Sequence, residues 1–254
     1  MQKAKILIGV IIALVVASIG LRVFKQEDMA DNFQAIIVPV LALYYCSNNH
    51  CKKKSFFYFL LLFGLGDLLG IFYYNIYISD AVDTAFYFTC NLLYIAAYLV
   101  LIYEVIRSLN IAQILSRFTV HIIILLVLDI YCVMLVSDVA VKSDELWNVY
   151  EHVLEFVYNA VIMTLLTVTL INYLNKDTKK AMNLLLGALC IVFSEVIQVA
   201  YYYVSDINIL GIAYSVLLLL ALFFFYLQAT MEVEDHKLAQ AENVKEVNPE
   251  ISSQ

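Results

Sequence analysis

Long apolar runs separated by short charged segments dominate this chain. Eight of the runs are long enough for a membrane-spanning helix, which needs about 20 predominantly apolar residues. We predict spans at residues 4–24, 32–47, 55–74, 84–107, 118–137, 146–174, 181–204 and 207–230. The second contains Pro39, where we expect a kink. The pattern predicts an all-α polytopic membrane domain over residues 1–230.

The composition supports this class. Hydrophobic residues make up 63% of the 254 residues and charged residues only 15%, whereas about a quarter of a soluble domain is charged. The basic start and apolar body of the first span resemble a signal peptide. Its apolar stretch, residues 6–21, exceeds the usual length of the apolar signal-peptide region, and seven further spans follow. We therefore predict an uncleaved first span.

The lysine and arginine residues predict the orientation of the chain. With the N-terminus inside, twelve basic residues fall in inner segments and three in outer segments, as the positive-inside rule requires. We expect both termini to be cytoplasmic and the protein to lie in the cell (inner) membrane of a bacterium. Residues 231–254 contain six acidic residues and two lysines, which predicts a solvated, partly disordered tail. Because the basic residues follow topology, we expect no nucleic-acid partner.

Metal sites and disulfides find little support in the sequence. Cys46, His50 and Cys51 lie in the inner loop CSNNHC, where the cytoplasm is reducing and no fourth ligand is evident. His152 with Glu155 leaves a residual metal possibility, because the two lie three residues apart on a helix. We expect no disulfide, no metal and no cofactor.

Ionisable side chains inside the spans are the first functional candidates. Asp67, Asp129, Glu155 and Glu195 fall within spans, where acids are costly and usually face the interior of the helix bundle. From the helical rise of about 1.5 Å per residue, these four and Asn91 share one layer in the outer half of the bilayer. We therefore expect them to lie near one another.

Polar residues repeat at helical spacing in three spans and predict inward-facing stripes. The stripes consist of Tyr87, Asn91, Tyr94 and Tyr98 in the fourth span; Asn148, Glu151, Glu155 and Asn159 in the sixth; and Glu195, Gln198 and Tyr202 in the seventh. Interhelical hydrogen bonding is an alternative role for the amides, and packing for the tyrosines. Gly66 and Gly70, beside Asp67, predict a close approach of a neighbouring helix.

The third and seventh spans resemble each other. Each follows a basic segment, and its carboxylate comes 13 residues after Lys54 or 15 residues after Lys180. This similarity predicts two parallel four-span halves with matched carboxylates at their interface.

Two enzyme classes are disfavoured. The sequence GLGD at 64–67 matches the short signature of intramembrane aspartyl proteases, which need two aspartates sharing a proton. The earlier aspartates, Asp28 and Asp31, are predicted in an outer loop, and the PAL motif is absent. Ceramidase-like hydrolases need several zinc-binding histidines, whereas His121 and His152 are predicted at opposite ends of their spans.

The ordered motifs resemble the YhhN-like family of lysoplasmalogenases, which are eight-span membrane proteins. The motifs are GLGDLLG at 64–70, FTCNLLYIAAY at 88–98, VYNAVIM at 157–163, GALCIVFSEVIQ at 187–198 and YLQA at 226–229. The chain departs from the family pattern at three positions. Glu195 replaces an aspartate, Asn91 a histidine, and Val38 the lysine of a Lys-Pro pair.

The resemblance implies hydrolysis of the vinyl ether bond of a lysoplasmalogen, a membrane lysophospholipid. The catalytic carboxyl groups would be Asp67 and Glu195, with either one as the acid. Asn91 would position substrate or water, and Tyr94 and Tyr98 would line an acyl pocket. The remaining expected substrate-binding residues are Glu155, Asn159 and Gln198.

Two other functions remain open from the sequence. Intramembrane carboxylates also bind protons or cations in transporters, and a divergent family member could be a non-enzymatic lipid-binding or regulatory membrane protein. Formation of a lipid product distinguishes the enzyme from both, and proton-coupled uptake identifies the transporter. The sequence does not predict the oligomeric state.

Overall fold

The structure, a computed structural model, describes residues 2–47, 53–75, 80–142, 149–204 and 207–247. These residues form eight α-helices: α1 Gln2–Val23, α2 Glu27–Ser47, α3 Lys54–Asn75, α4 Asp80–Arg107, α5 Ile111–Lys142, α6 Val149–Lys176, α7 Lys179–Tyr203 and α8 Asn208–Val247. Each contains a segment long and apolar enough to cross a membrane. The described residues are thus all-helical, and their eight helices fit the predicted all-α polytopic architecture, while the side on which the termini lie stays a prediction.

Three helices, α2, α5 and α8, extend beyond the predicted spans by at least five residues at one or both ends. Helix α2 begins at Glu27, so Asp31 lies in a helix and its predicted loop position is wrong; acidic residues favour a helix N-terminus. Helix α5 begins at Ile111, with a non-helical backbone at Phe118, where the predicted span starts. Helix α8 continues to Val247, and residues 248–254 lie outside the described residues. The solvation and partial disorder of the tail stay predictions.

Seven of the helices form a closed ring. The order around the ring is α1, α2, α3, α4, α6, α7 and α8, and α8 packs back against α1. Helix α5 packs against α6 and α7 from outside the ring. The ring brings polar residues of non-adjacent spans, above all α3 and α7, to a common interior.

The peripheral position of α5 is seen in its burial. Only 11% of its spanning segment is buried, the same share as for α1 and far below the 50% of α6, and its large apolar side chains, including Ile123 and Val127, are exposed. A helix that is apolar on most sides suits contact with lipid.

The predicted halves match only in part. Helix α3 lies between α2 and α4, and α7 lies between α6 and α8, as two four-span halves require. However, α1 completes the ring whereas its counterpart α5 lies outside it.

An aromatic core fixes α3 against α4 and α8. Phe59 packs edge-on against Phe225 with ring centroids 5.6 Å apart, and Phe63 contacts Tyr98 at 5.9 Å. Phe225 lies directly against Gly187 of α7, where an added Cβ would come within 2.4 Å of the ring. Small residues at such crossings let helices approach closely.

Candidate functional site

A cavity of about 320 Å³ lies inside the helix ring. Helices α2, α3, α4, α6, α7 and α8 all contribute to its wall. Six of the eight predicted catalytic and substrate-binding residues line it: Asp67, Asn91, Tyr94, Glu155, Glu195 and Gln198. We call it the central cavity. The structure thus brings both candidate catalytic carboxyl groups to the wall of one cavity.

Asp67 is held by a tyrosine of the neighbouring helix. The Tyr94 hydroxyl donates a hydrogen bond to Asp67 Oδ1 at 2.9 Å. Tyr94 can reach it because its ring lies against Gly66, where an added Cβ would come within 2.7 Å of the ring. Gly70 has nothing within 4 Å of such a Cβ, so the predicted close approach exists at Gly66 and not at Gly70. The second oxygen of Asp67 accepts no hydrogen bond from the described residues.

Glu195 receives two tyrosine hydroxyls on one oxygen. Tyr98 donates to Glu195 Oε1 at 3.0 Å and Tyr158 donates to the same atom at 2.8 Å. Two O–H donors stabilise the ionised form of a carboxyl group. Within the described part of the chain, Oε2 accepts no hydrogen bond, so this oxygen is available to a molecule in the central cavity.

Helix α4 supplies a hydrogen-bond donor to each of the two carboxyl groups. Tyr94 and Tyr98 lie one turn apart on its inner face, and each binds one of the acids. Phe63 packs against both tyrosine rings, with centroid distances of 4.9 and 5.9 Å. Because both anchors belong to one rigid helix and share a packing partner, the relative position of the carboxyl groups is fixed by packing.

The other predicted residues divide between the cavity wall and the layer behind it. Glu155 lines the cavity and accepts a hydrogen bond from the buried Asn159 amide at 3.2 Å. Asn91 lines the cavity, while its amide nitrogen donates to the Tyr87 carbonyl of its own helix at 2.9 Å. Tyr98 is wholly buried behind Glu195.

The three predicted stripes are also visible in the structure. Glu151, Glu155 and Asn159 of α6 are buried, and Glu195, Gln198 and Tyr202 of α7 line the cavity. In α4, Tyr87, Asn91 and Tyr94 line it as well. Asn148, predicted to begin the α6 stripe, lies outside the described residues.

Asp129 does not join the other acids. It lies on the outer helix α5, where the Thr167 hydroxyl of α6 donates to its Oδ2 at 2.7 Å. The expectation that it lies near the other intramembrane acids is therefore wrong, because depth in the membrane does not determine which helices enclose the interior.

The sequence reasoning missed Tyr158, which lies beside the predicted Asn159. Its signal was its position three residues after Glu155, on the same face of the helix.

The reasoning also missed a buried ion pair at the edge of the cavity. Arg22 is fully buried, pairs with Asp31, and lies 4.5 Å from the centre of the Tyr214 ring. Asp31 lines the cavity and also accepts a hydrogen bond from the Tyr214 hydroxyl at 3.2 Å. Since a buried cation needs a counter-charge, Arg22 was the available signal. The helical position of Asp31 removes one argument against a protease, but its pairing with Arg22 disfavours proton sharing with Asp67.

Ser194 has a structural contact. Its hydroxyl donates to the Tyr214 carbonyl at 2.8 Å and ties α7 to α8. A serine nucleophile needs an adjacent base, and this hydroxyl is directed to a backbone oxygen instead.

Metal ligation has no geometric support in the described part of the chain. No group of three or more His, Cys, Asp or Glu side chains that could hold a metal occurs there. His50 and Cys51 of the CSNNHC loop lie outside the described residues.

Comparison of the chain with protein-family models, curated proteins and solved structures gives no match in any of the three. The YhhN-like resemblance therefore rests on the order of the sequence motifs.

Proposed function

We propose that this protein is a membrane-embedded lipid hydrolase that cleaves the vinyl ether bond of lysoplasmalogen-like lysophospholipids. Asp67 and Glu195 are its catalytic carboxyl groups. One observation carries the proposal: both acids line one cavity inside the helix ring, each held through a single oxygen by tyrosine hydroxyls. The substrate class comes from the resemblance of the ordered motifs to lysoplasmalogenases.

The reaction needs one acid and one carboxylate. A carboxylic acid transfers its proton to the alkenyl carbon next to the ether-bearing carbon, which produces an oxocarbenium ion. Water then adds to the ether-bearing carbon and gives its proton to the carboxylate base. In the collapse of the resulting hemiacetal, the bond from this carbon to the glycerol oxygen breaks, and the glycerol oxygen takes the proton that the base received from water. The hemiacetal hydroxyl gives its proton to the carboxylate left by the first step, so both carboxyl groups return to their starting states and the products are an aldehyde and a glycerophospho compound. Positioned carboxyl groups typically accelerate such proton transfers by about 10²–10⁴-fold.

The hydrogen bonds favour one assignment of the two roles. Glu195 receives two hydroxyl donors on one oxygen, whereas Asp67 receives one. Since each donor stabilises the anion, Glu195 is the carboxylate that stabilises the cation and accepts the proton of water. Asp67 is the acid that protonates carbon.

The remaining polar side chains of the central cavity orient the substrate. The amide nitrogen of Asn91 is engaged by its own helix, so its carbonyl oxygen is the group available to water or to a lipid hydroxyl. Gln198 of α7 and Glu155 of α6 offer further polar atoms in the cavity wall. Tyr94 and Phe63 provide the aromatic surface against which the alkenyl chain packs.

The experiment measures aldehyde release from a lysoplasmalogen by purified Asp67→Asn and Glu195→Gln variants. Both substitutions preserve size and remove the ionisable group, and we expect each to lower kcat by about 10²–10⁴-fold. Asp129→Asn is the matched control because this intramembrane acid lies outside the ring, bonded to Thr167. Its turnover should equal that of the unmodified protein.

The other outcomes identify the alternatives. Undiminished turnover in either cavity variant would remove this mechanism. Lipid binding without product would indicate a non-enzymatic lipid-binding protein. Proton-coupled uptake in proteoliposomes that depends on Asp67, again without product, would indicate a transporter.

A further inference from the structure

A second cavity lies in the wall of the helix ring, between α1, α2 and α8. Its volume is about 380 Å³, against about 320 Å³ for the central cavity. Aliphatic side chains, one phenylalanine and one tyrosine form its described lining. We call it the apolar groove, and its lining comes from Ile11, Val15 and Ile19 of α1, Ile37 and Leu41 of α2, and α8 between Val216 and Tyr226.

The apolar groove adjoins the central cavity along two helices. On α2, Ala35 lines the central cavity and Ile37 lines the groove. On α8, Leu218 lines the central cavity and Leu219 lines the groove. In the ring, α1 lies between α2 and α8, and it forms the third wall of the groove. A molecule in the central cavity can therefore extend into the groove between α2 and α8.

The groove begins close to the depth of the proposed catalytic acid. Pro39, which lies between the two groove residues of α2, packs against Gly64 of α3, where an added Cβ would come within 3.3 Å of the proline ring. Gly64 is three residues from Asp67 along α3, about 4.5 Å at the helical rise. A hydrocarbon chain that starts beside Asp67 therefore reaches the level of the groove within a few carbon atoms.

The aromatic core closes the other direction from Asp67 towards the start of α3. Phe59, eight residues before Asp67, lies 6.4 Å from the Tyr98 ring and 5.6 Å from the Phe225 ring. All three side chains are at most 1% exposed. Side chains packed this closely leave no room for a lipid chain. The apolar groove, by contrast, has both the volume and the lining that such a chain needs.

The ends of the groove give it a defined length. Val216 and Tyr226, the first and last residues of α8 in its lining, are ten residues apart, about 15 Å at the helical rise. One lipid chain spans half of a hydrocarbon core that is about 30 Å thick. At the far end, the Tyr226 ring lies 5.9 Å from the Tyr44 ring of α2, with the two hydroxyl oxygens 3.4 Å apart. This tyrosine pair closes the groove.

From these observations we propose that the apolar groove holds the hydrocarbon chain of the lipid substrate, and that Tyr226 limits the length of the chain that fits. The inference rests on the proposed function, because it places the ether-bearing carbon of the substrate beside Asp67. Lipid chains are as apolar as the lining, so moving a chain from the bilayer into the groove contributes little affinity. The groove selects by length instead, since a chain that is too long must displace a packed side chain.

The first experiment measures kcat/KM of the full-length protein in detergent micelles for lysoplasmalogens that share a headgroup and differ in alkenyl chain length. Val15→Trp fills the groove from α1, and we expect the ratio of kcat/KM for long to short chains to fall about tenfold or more, because a misfit of one methylene in an apolar pocket changes selectivity by about 10- to 200-fold. Val16→Trp is the matched control. Val16 is the next residue of α1 and is 66% exposed, so this variant should keep the ratio of the unmodified protein.

A variant that lengthens the groove tests the opposite change. Tyr226→Ala removes the side chain that closes the far end, and it should raise the ratio for long to short chains by a similar factor. The Tm of each variant reports whether it folds, and Tyr226→Ala keeps the inference testable if Val15→Trp does not fold.

A second experiment detects the chain without hydrolysis. The probe is a lysophospholipid with a saturated ether bond and a photoreactive diazirine at the end of its chain, added to the protein in phosphatidylcholine nanodiscs. We expect saturable labelling of α8 near Tyr226 that an excess of unlabelled ether lysophospholipid displaces. Val15→Trp should reduce this labelling, and Val16→Trp should not.

The outcomes distinguish this inference from the proposed function. Displaceable labelling near Tyr226 without aldehyde from any substrate would remove the hydrolase and support the groove as a lipid-chain site. The inference is overturned if aldehyde is released but folded Val15→Trp and Tyr226→Ala keep the chain-length profile of the unmodified protein. It is also overturned if excess ether lysophospholipid does not displace the label.

Discussion

Replacing Gly66 with alanine perturbs the proposed acid site through packing alone. The added methyl group would come within 2.7 Å of Tyr94 Cε1 and 3.0 Å of Cζ. Comfortable carbon contacts are about 3.5–4.0 Å, so the tyrosine ring must move by about 1 Å. The moving ring carries the hydroxyl that donates to Asp67 at 2.9 Å, and Phe63 packs against it.

The expected magnitude is a balance of two effects. Overpacking a well-packed core typically costs about 1–3 kcal/mol, whereas glycine to alanine inside a helix gains up to about 1 kcal/mol. Gly9→Ala isolates the gain, because Gly9 lies in α1 with nothing within 4 Å of an added Cβ. Relative to Gly9→Ala, the Gly66→Ala variant should therefore be less stable by about 1–3 kcal/mol.

Denaturant unfolding in detergent micelles, with kcat measured on the same samples, tests this prediction. A Tyr94→Leu background should remove most of the penalty, because the clash and the hydrogen bond then both disappear. The reasoning is refuted if Gly66→Ala is as stable and as active as Gly9→Ala, or if the penalty persists unchanged in the Tyr94→Leu background.

Three further substitutions test individual contacts. Tyr158→Phe removes one of the two donors to Glu195 and should lower kcat by about ten- to a hundredfold with little change in Tm; unchanged kcat would contradict the carboxylate role. Asp31→Asn leaves the buried cation of Arg22 without its counter-charge and should cost about 3–5 kcal/mol in unfolding free energy; a Tm like that of the unmodified protein would contradict this. Ser194→Ala should keep turnover and lose about 1 kcal/mol of stability, whereas loss of turnover in a folded protein would indicate a serine nucleophile.

The sequence predicted the spans well because hydropathy responds directly to the membrane. It predicted helix boundaries less well, because a helix continues beyond the apolar layer. The acidic first turn of α2, from Glu27, is a good helix start and a poor lipid-facing segment, so the span predicted from the sequence begins later than the helix. The fifth span predicted from the sequence starts at Phe118, and the backbone of α5 departs from helical geometry at this same residue.

The arrangement of the helices could not be read from the spacing of acids along the chain. Asp67 and Glu195 were identified because charged groups in a span are costly. Placing Asp129 within a span is equally costly. However, its helix α5 lies outside the ring, so Asp129 does not reach the central cavity. The apolar character of α5 did not distinguish it either, because α1, with a mean hydropathy of 2.7 against 2.5 for α5, belongs to the ring.

The hydrogen bonds of the site could not be predicted from the sequence either. Nineteen tyrosines occur in the chain. The position of Tyr158, three residues after Glu155, indicates which face of the helix it shares, but it does not identify Glu195 of another helix as its partner. The choice depends on which helix lies opposite, here α7 against α6. Such contacts become visible only once the ring is known.

The most direct test of the central claim is a turnover experiment in D₂O. The acid proton exchanges with solvent, so transfer from a carboxyl group to the alkenyl carbon should introduce one deuterium at carbon 2 of the aldehyde. The aldehyde is reduced to the alcohol as the reaction is stopped, which prevents later exchange, and is analysed by mass spectrometry. The account predicts a singly deuterated product from the unmodified protein, formed about 10²–10⁴-fold more slowly by Asp67→Asn. An unlabelled aldehyde, or no aldehyde from the unmodified protein, would contradict it.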